Sequence, residues 1–196
     1  MDIEQIKRLK SLTGVGLTDA KQALEEAKGD FDKALEAMRI KGLAKADKKS
    51  EREARAGLVD SYVHSDRIGV IVEVNCETDF VARTDDFKTV VHDIAMHIAA
   101  SSPKYLDKES IPKDELEAET KLIKQELKAE GKPADMLDKI AEGKLEKWYS
   151  EVVLMNQPYI KDPELTIEDY VKQAIARLGE NIVIRKFSRI ELGEAS

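Results

Sequence analysis

Between residues 57 and 76 the apolar positions of this chain recur every second residue, while on both sides of that stretch they recur every third or fourth. Leu58, Val59, Tyr62 and Val63 make a first strand and Ser65-Asp66-Arg67 a turn. Ile68, Val70, Val72 and Val74 make a second strand, with Ile71 on its other side. A lone hairpin is marginal in water, so a further strand has to pair with it. The far end of the chain supplies one: Ile182, Ile184, Lys186, Ser188 and Ile190 alternate with Val183, Arg185, Phe187 and Arg189. The sequence between them is helical, which sets the fold class as α+β, a small antiparallel sheet of about three strands under four helices.

Residues 1–42 read as a separate three-helix unit. Ile3, Ile6, Leu9 and Leu12 mark the first helix, which Thr13-Gly14-Val15-Gly16 breaks. Thr18 is placed to cap the second, with Ala20, Ala23, Leu24 and Ala27 on one side. Gly29 stops it, Asp30 caps the third, Phe31, Ala34, Leu35 and Met38 give that helix its buried stripe, and Gly42 ends it. So short a unit buries little area; it is expected to keep an exposed apolar rim and to bind another protein. Residues 43–56, alanine mixed with Lys and Arg, are expected to be a helical, mainly solvated linker. Residues 57–196 form the α+β core. Phe87, Val90, Val91, Ile94, Ala95 and Ile98 stripe one helix of it. Two more helices flank the Gly131-Lys132-Pro133 turn, too short a connection for anything but an antiparallel pair, with Met136, Leu137, Ile140, Ala141, Trp148, Tyr149 and Val152 inward on the second. Thr166 and Asp169 open the last helix with a capping box.

The second strand of the hairpin ends in Val74-Asn75-Cys76-Glu77-Thr78-Asp79-Phe80-Val81-Ala82-Arg83. Thr78 is placed to cap a short helical turn. Two readings follow for Phe80: a side chain folded back into the core at a strand-to-helix corner, as most phenylalanines are, or an exposed apolar tip beside the Asp79 carboxylate that enters a partner.

Composition removes several classes of function. A net charge of −7 is unsuited to general nucleic-acid binding, which needs clustered Lys and Arg. Cys76 is the only cysteine, so no internal disulfide forms, and a buried structural thiol is the expected role. Neither a signal core after Met1 nor a run of about 18 apolar residues is present, which leads to the expectation of a soluble cytoplasmic protein without a membrane span. Gly131-Lys132 and Gly143-Lys144 lack the remainder of a P-loop, since Glu126 and Asp138 stand where its first glycine belongs. His92 and His97 lie about 140° apart on a helix and share no face; Asp93 and His97 do share one, but a lone pair of that kind is more often a hydrogen bond than a metal site. No enzyme, no cofactor and no metal is expected.

Four motifs carry a resemblance that spans essentially the whole chain. Thr13-Gly14-Val15-Gly16-Leu17 with Asp19, Lys21, Ala23 and Leu24 resembles the N-terminal module of the translation elongation factor Ts family. The stretch from Val72 to Arg83 resembles its most specific segment. Ala95-Met96-His97-Ile98-Ala99-Ala100 with Pro103 resembles a histidine-bearing helix of the family, and Gly179-Glu180-Asn181-Ile182 with Arg185 and Phe187 its closing strand. The resemblance implies a guanine-nucleotide exchange factor for elongation factor Tu. It implies a module similar to ubiquitin-associated domains that docks on this partner through Thr13, Gly14, Val15, Gly16 and Leu17. It further implies that Thr78, Asp79, Phe80 and Val81 act on the partner's Mg²⁺ site. Longer members of the family carry a duplicated core with a coiled-coil insertion; a single core here implies a homodimer, and Ser188 in the closing strand leaves no cysteine there for a covalent link. The alternative is a protein-binding adaptor that uses the N-terminal unit without exchange activity.

Overall fold

The computed structural model describes residues 2–13, 15–133 and 136–194. It opens with helices α1 (Ile3–Thr13), α2 (Leu17–Glu26) and α3 (Phe31–Asp47). Leu9, Ala20, Ala23, Leu24, Ala34 and Met38 form a core among them, separate from the main one. Only the middle of α1 is buried: Leu9 is inaccessible, whereas Ile3 and Leu12 are exposed. A spacing of three slips about 60° per step on an α-helix, so the first and last of these residues end on opposite sides.

Two boundaries differ from expectation. Gly16, in extended backbone, is the N-cap of α2, and Thr18 falls inside the first turn; Asp19 puts a carboxylate at that helix start, where the dipole favours it. Asp30 caps α3 as expected, accepting from the Lys33 amide at 3.1 Å. Gly42, however, does not end α3. The helix runs on to Asp47, and Gly42 lies where it packs on α8 (Ile167–Leu178): a Cβ there would stand 3.3 Å from that of Ala176. The glycine serves close helix approach rather than termination. Ala46 consequently joins the main core, and Ala54 is buried as well. The 43–56 stretch is helical only to Asp47, and most of its charged side chains are solvated as expected, but it is pinned to the core at points: Lys49 Nζ donates to the Gly179 carbonyl at 2.5 Å, and Arg52 lies 3.6 Å from Glu77.

Strands β1 (Ala56–His64), β2 (Ile68–Cys76) and β5 (Ile182–Glu191) form an antiparallel sheet in the order β1-β2-β5. Ser65 and Asp66 both have positive φ (50° and 57°) and Arg67 N–H donates to His64 O at 3.0 Å. This turn matches the twist of the strands it joins. Val70, Val72, Val74 and Cys76 face inward. They meet α5 (Asp85–Ser101), whose predicted stripe from Phe87 to Ile98 is fully buried, and α8. The other face of the sheet is open, with Val59, Val63, Ile71 and Ile190 exposed.

Of the four helices expected over the sheet, α5 and α8 share its core. The antiparallel pair α6 (Lys113–Ala129) and α7 (Leu137–Val152) packs Ile123 and Leu127 against Ala141 instead, and at its other end Leu116 and Tyr149 pack with Ile111 and Val153, so its apolar stripes are used away from the sheet's core. Met136, expected inward, precedes α7 and is exposed. A second small sheet, β3 (Pro158–Tyr159) with β4 (Asp162–Thr166), escapes sequence reading because strands this short show too few alternations. The capping box at Thr166 and Asp169 is present as expected.

Candidate functional site

Beyond Cys76 the chain leaves β2 and turns at once into a four-residue helix, α4 (Asp79–Ala82). Cys76 anchors the turn. It is wholly inaccessible, and its Sγ donates to Thr78 O at 3.2 Å. Burial, and after it the Glu180 carboxylate, push the thiol above its ordinary range, which holds it protonated and unreactive. Thr78 is the N-cap, in extended backbone (φ −132°, ψ 154°), with its Oγ1 facing the Val81 amide at 3.5 Å. Val81 packs on the main core and Ala82 is buried, so one side of α4 is fixed. The other side carries Asp79 and Phe80 outward, Phe80 being 88% exposed, the highest value among the exposed large apolar side chains. The ring is therefore not folded back into the core at a strand-to-helix corner; it faces solvent. A threonine cap and a twisted strand end can be read in sequence; which way the ring leaves a one-turn helix cannot.

A second feature was invisible in sequence. Glu180, in the turn between α8 and β5, accepts from the Thr78 amide at 3.0 Å and from its hydroxyl at 2.6 Å. Glu77 accepts from the Asn181 amide at 2.7 Å. These partners are about a hundred residues apart along the chain and have no local signal.

In the N-terminal set, Thr13 ends α1 with its hydroxyl donating to Leu9 O at 2.6 Å, Val15 packs into the small core, Gly16 is the cap and Leu17 is exposed. Gly14 lies outside the described residues. Val15 and Val81 belong to different cores, so the two sets are two surfaces and not one cleft.

The histidines have other duties. His92 Nδ1 meets Asp60 at 2.9 Å on the surface. His97 is fully buried. The Gln157 amide donates to Ser101 O and Glu151 O, so its oxygen must accept from His97 Nε2, at 3.0 Å; Nδ1 then accepts from the Ile160 amide at 3.4 Å. Burial lowers the pKa of this imidazole, keeping it neutral. Asp93, one turn away, accepts from Tyr159 and Tyr170, each at 3.0 Å, and from Lys161 at 2.7 Å. Asp93 and His97 thus hold the small β3–β4 sheet against α5. Among the described residues no three His, Cys, Asp or Glu side chains converge as a metal site, and no helix is long and apolar enough to cross a membrane.

The class defined by these features is an α+β chain with a small helical module at one end and, on its core, an aromatic tip held out on a rigid, capped turn. Comparison with known proteins narrows the class. The sequence model of "Elongation factor TS" matches residues 2–194. The chain is 49% identical over 194 residues to an elongation factor Ts of Herpetosiphon aurantiacus, covering 98% of each. It is 53% identical over 192 residues to that of Thermoanaerobacter pseudethanolicus, covering 97% of this chain and 94% of the relative. With that of Carboxydothermus hydrogenoformans it shares 50% identity over 192 residues, or 97% and 88% of the two. The chain belongs to the elongation factor Ts family.

Proposed function

We propose that this chain binds elongation factor Tu in its GDP form, disturbs its Mg²⁺ and nucleotide site, and speeds GDP release during translation elongation. The observation that carries this reading is Phe80, almost wholly exposed on a turn whose opposite side is buried. The backbone that carries the ring is anchored by Val81 and Ala82, so little of the chain has to be ordered when the ring enters a crevice, and its burial contributes about 2 kcal/mol. Mg²⁺ requires near-ideal octahedral geometry, so a ring that displaces one supporting element of the partner weakens the ion and the phosphates it bridges. The factor then binds best to the nucleotide-poor partner, and by linkage it lowers GDP affinity by the same free energy that GDP takes from the factor's own affinity. No covalent chemistry in the factor is needed. Thr13, Gly14, Val15, Gly16 and Leu17 dock the N-terminal module, with Leu17 offering exposed apolar surface.

Two copies act together. The open face of the sheet aligns Val59, Val63, Ile71 and Ile190, and Leu192 just beyond it, all more than half exposed. Face-to-face packing of two such sheets buries this row.

The test is release of fluorescent GDP from elongation factor Tu. The wild-type chain accelerates it, and Phe80→Ala loses most of the acceleration while melting within about 0.5 kcal/mol of wild type, as substitutions at exposed sites do. Unchanged release with the wild-type chain sinks the exchange reading and leaves an adaptor; full activity of Phe80→Ala sinks the role of the tip and leaves exchange to other surfaces.

A further inference from the structure

We infer that Glu180 is a positioning residue for the tip that carries Asp79 and Phe80, acting through Thr78. In an ordinary capping box the third helical residue is a Glu or Gln whose side chain reaches back to the N-cap amide. In α4 that place is taken by Val81, which has nothing to offer. Glu180 does the missing work from the far end of the chain: one carboxylate oxygen accepts from the Thr78 amide at 3.0 Å and the other from the Thr78 hydroxyl at 2.6 Å. Fixing the hydroxyl proton on Glu180 leaves the oxygen's lone pairs for the Val81 amide, so a single carboxylate sets both halves of the cap. Hydrogen bonds to an ionised acceptor are about twice as strong as neutral ones, and a four-residue helix has no length of its own to hold its shape.

The turn that presents Glu180 is itself immobilised. Asn181 is 2% exposed; its side-chain amide donates to the carbonyls of Ser50 at 3.2 Å and Arg52 at 2.7 Å, and its backbone amide to Glu77 at 2.7 Å. Glu77 and Glu180 therefore cross between two segments, each accepting from the other's backbone. The orientation of Phe80 is thus set by the turn between α8 and β5, about a hundred residues further along the chain and bonded to the stretch leading out of the N-terminal module.

This inference rests on the exchange reading above, and its test separates the two. The rate of fluorescent GDP release from elongation factor Tu is followed against factor concentration for wild type, Glu180→Ala, Glu180→Gln, Phe80→Ala and the Phe80→Ala/Glu180→Ala pair, with thermal melting of each. Glu180→Ala lowers the saturating rate about tenfold, the scale of losing a helix cap. Glu180→Gln, with one acceptor oxygen for two donors, falls between. In the Phe80→Ala background the second substitution costs nothing further, because there is no ring left to aim. Equal loss in both backgrounds, or a wild-type rate for Glu180→Ala, overturns the inference while leaving the exchange reading in place. A wild-type chain that does not accelerate release overturns both.

Discussion

His97 carries no charge and sits where none is tolerated. Its tautomer is dictated by Gln157, whose amide is already spent on two carbonyls. Because burial depresses the folded-state pKa, the unfolded chain binds a proton more readily than the folded one. The stability gained from a neutral His97 is fully present above the unfolded value of about 6.5 and is lost as pH falls from there through the lower folded value. Melting measured from about pH 7.5 down to 5.5 should show a falling midpoint, and His97→Gln, though less stable throughout, a flatter curve. A fall equally steep in the variant would assign the effect elsewhere. At this scale sequence reading went far. Cys76 as buried anchor, Thr78 as cap and Asp30 as cap all follow from residue type and position, and all are present. What residue type could not convey is engagement with a distant partner: the spacing pairs Asp93 with His97, yet the two bond elsewhere, Asp93 gathering two tyrosines and a lysine from beyond residue 158 and His97 meeting Gln157 and Ile160.

The hairpin is the element most exposed to single substitutions. Gly57, the second residue of β1, has a φ of 143°, and a Cβ there would come within 2.2 Å of the Val74 carbonyl oxygen. Gly57→Ala therefore meets backbone, which cannot swing aside. It should destabilise the chain by about 2 kcal/mol or more, read as a lowered denaturant midpoint with an unchanged slope; a wild-type midpoint would refute the clash. Because β2 feeds α4, the same variant is expected to blunt exchange. Element type and order were readable wherever periodicity was sustained, as in α5, whose stripe is buried residue for residue. They failed where it was not. Gly42 looks like a stop because glycine usually is one, and only the presence of Ala176 across the gap explains a glycine in the middle of α3. The strands β3 and β4 are held by contacts with α5 and α8 rather than by any pattern of their own.

For the molecule as a whole, the open sheet face is the surface that association would use. Replacing Ile71 and Ile190 with lysine should abolish a dimer without disturbing the inward face, since both side chains point away from the core. Light scattering should give twice the 22.0 kDa chain mass for wild type and the single mass for the variant. A wild-type monomer at working concentration removes the dimer from the proposal. The variant further tests whether exchange needs two copies or only one tip.

The sequence by itself determined the α+β class, the hairpin, the helical module ahead of it and the motif that ties residues 72–83 to the elongation factor Ts family. Those are local matters: periodicity, caps and turns act over a few residues, and a motif is read where it stands. Tertiary structure alone decided that Phe80 faces water, that α6 and α7 pair with each other rather than with the sheet, and that Glu180 caps a helix about a hundred residues upstream. Each of these depends on which groups meet across the fold, and an exposed ring or a borrowed carboxylate has the same local sequence whether or not its partner arrives.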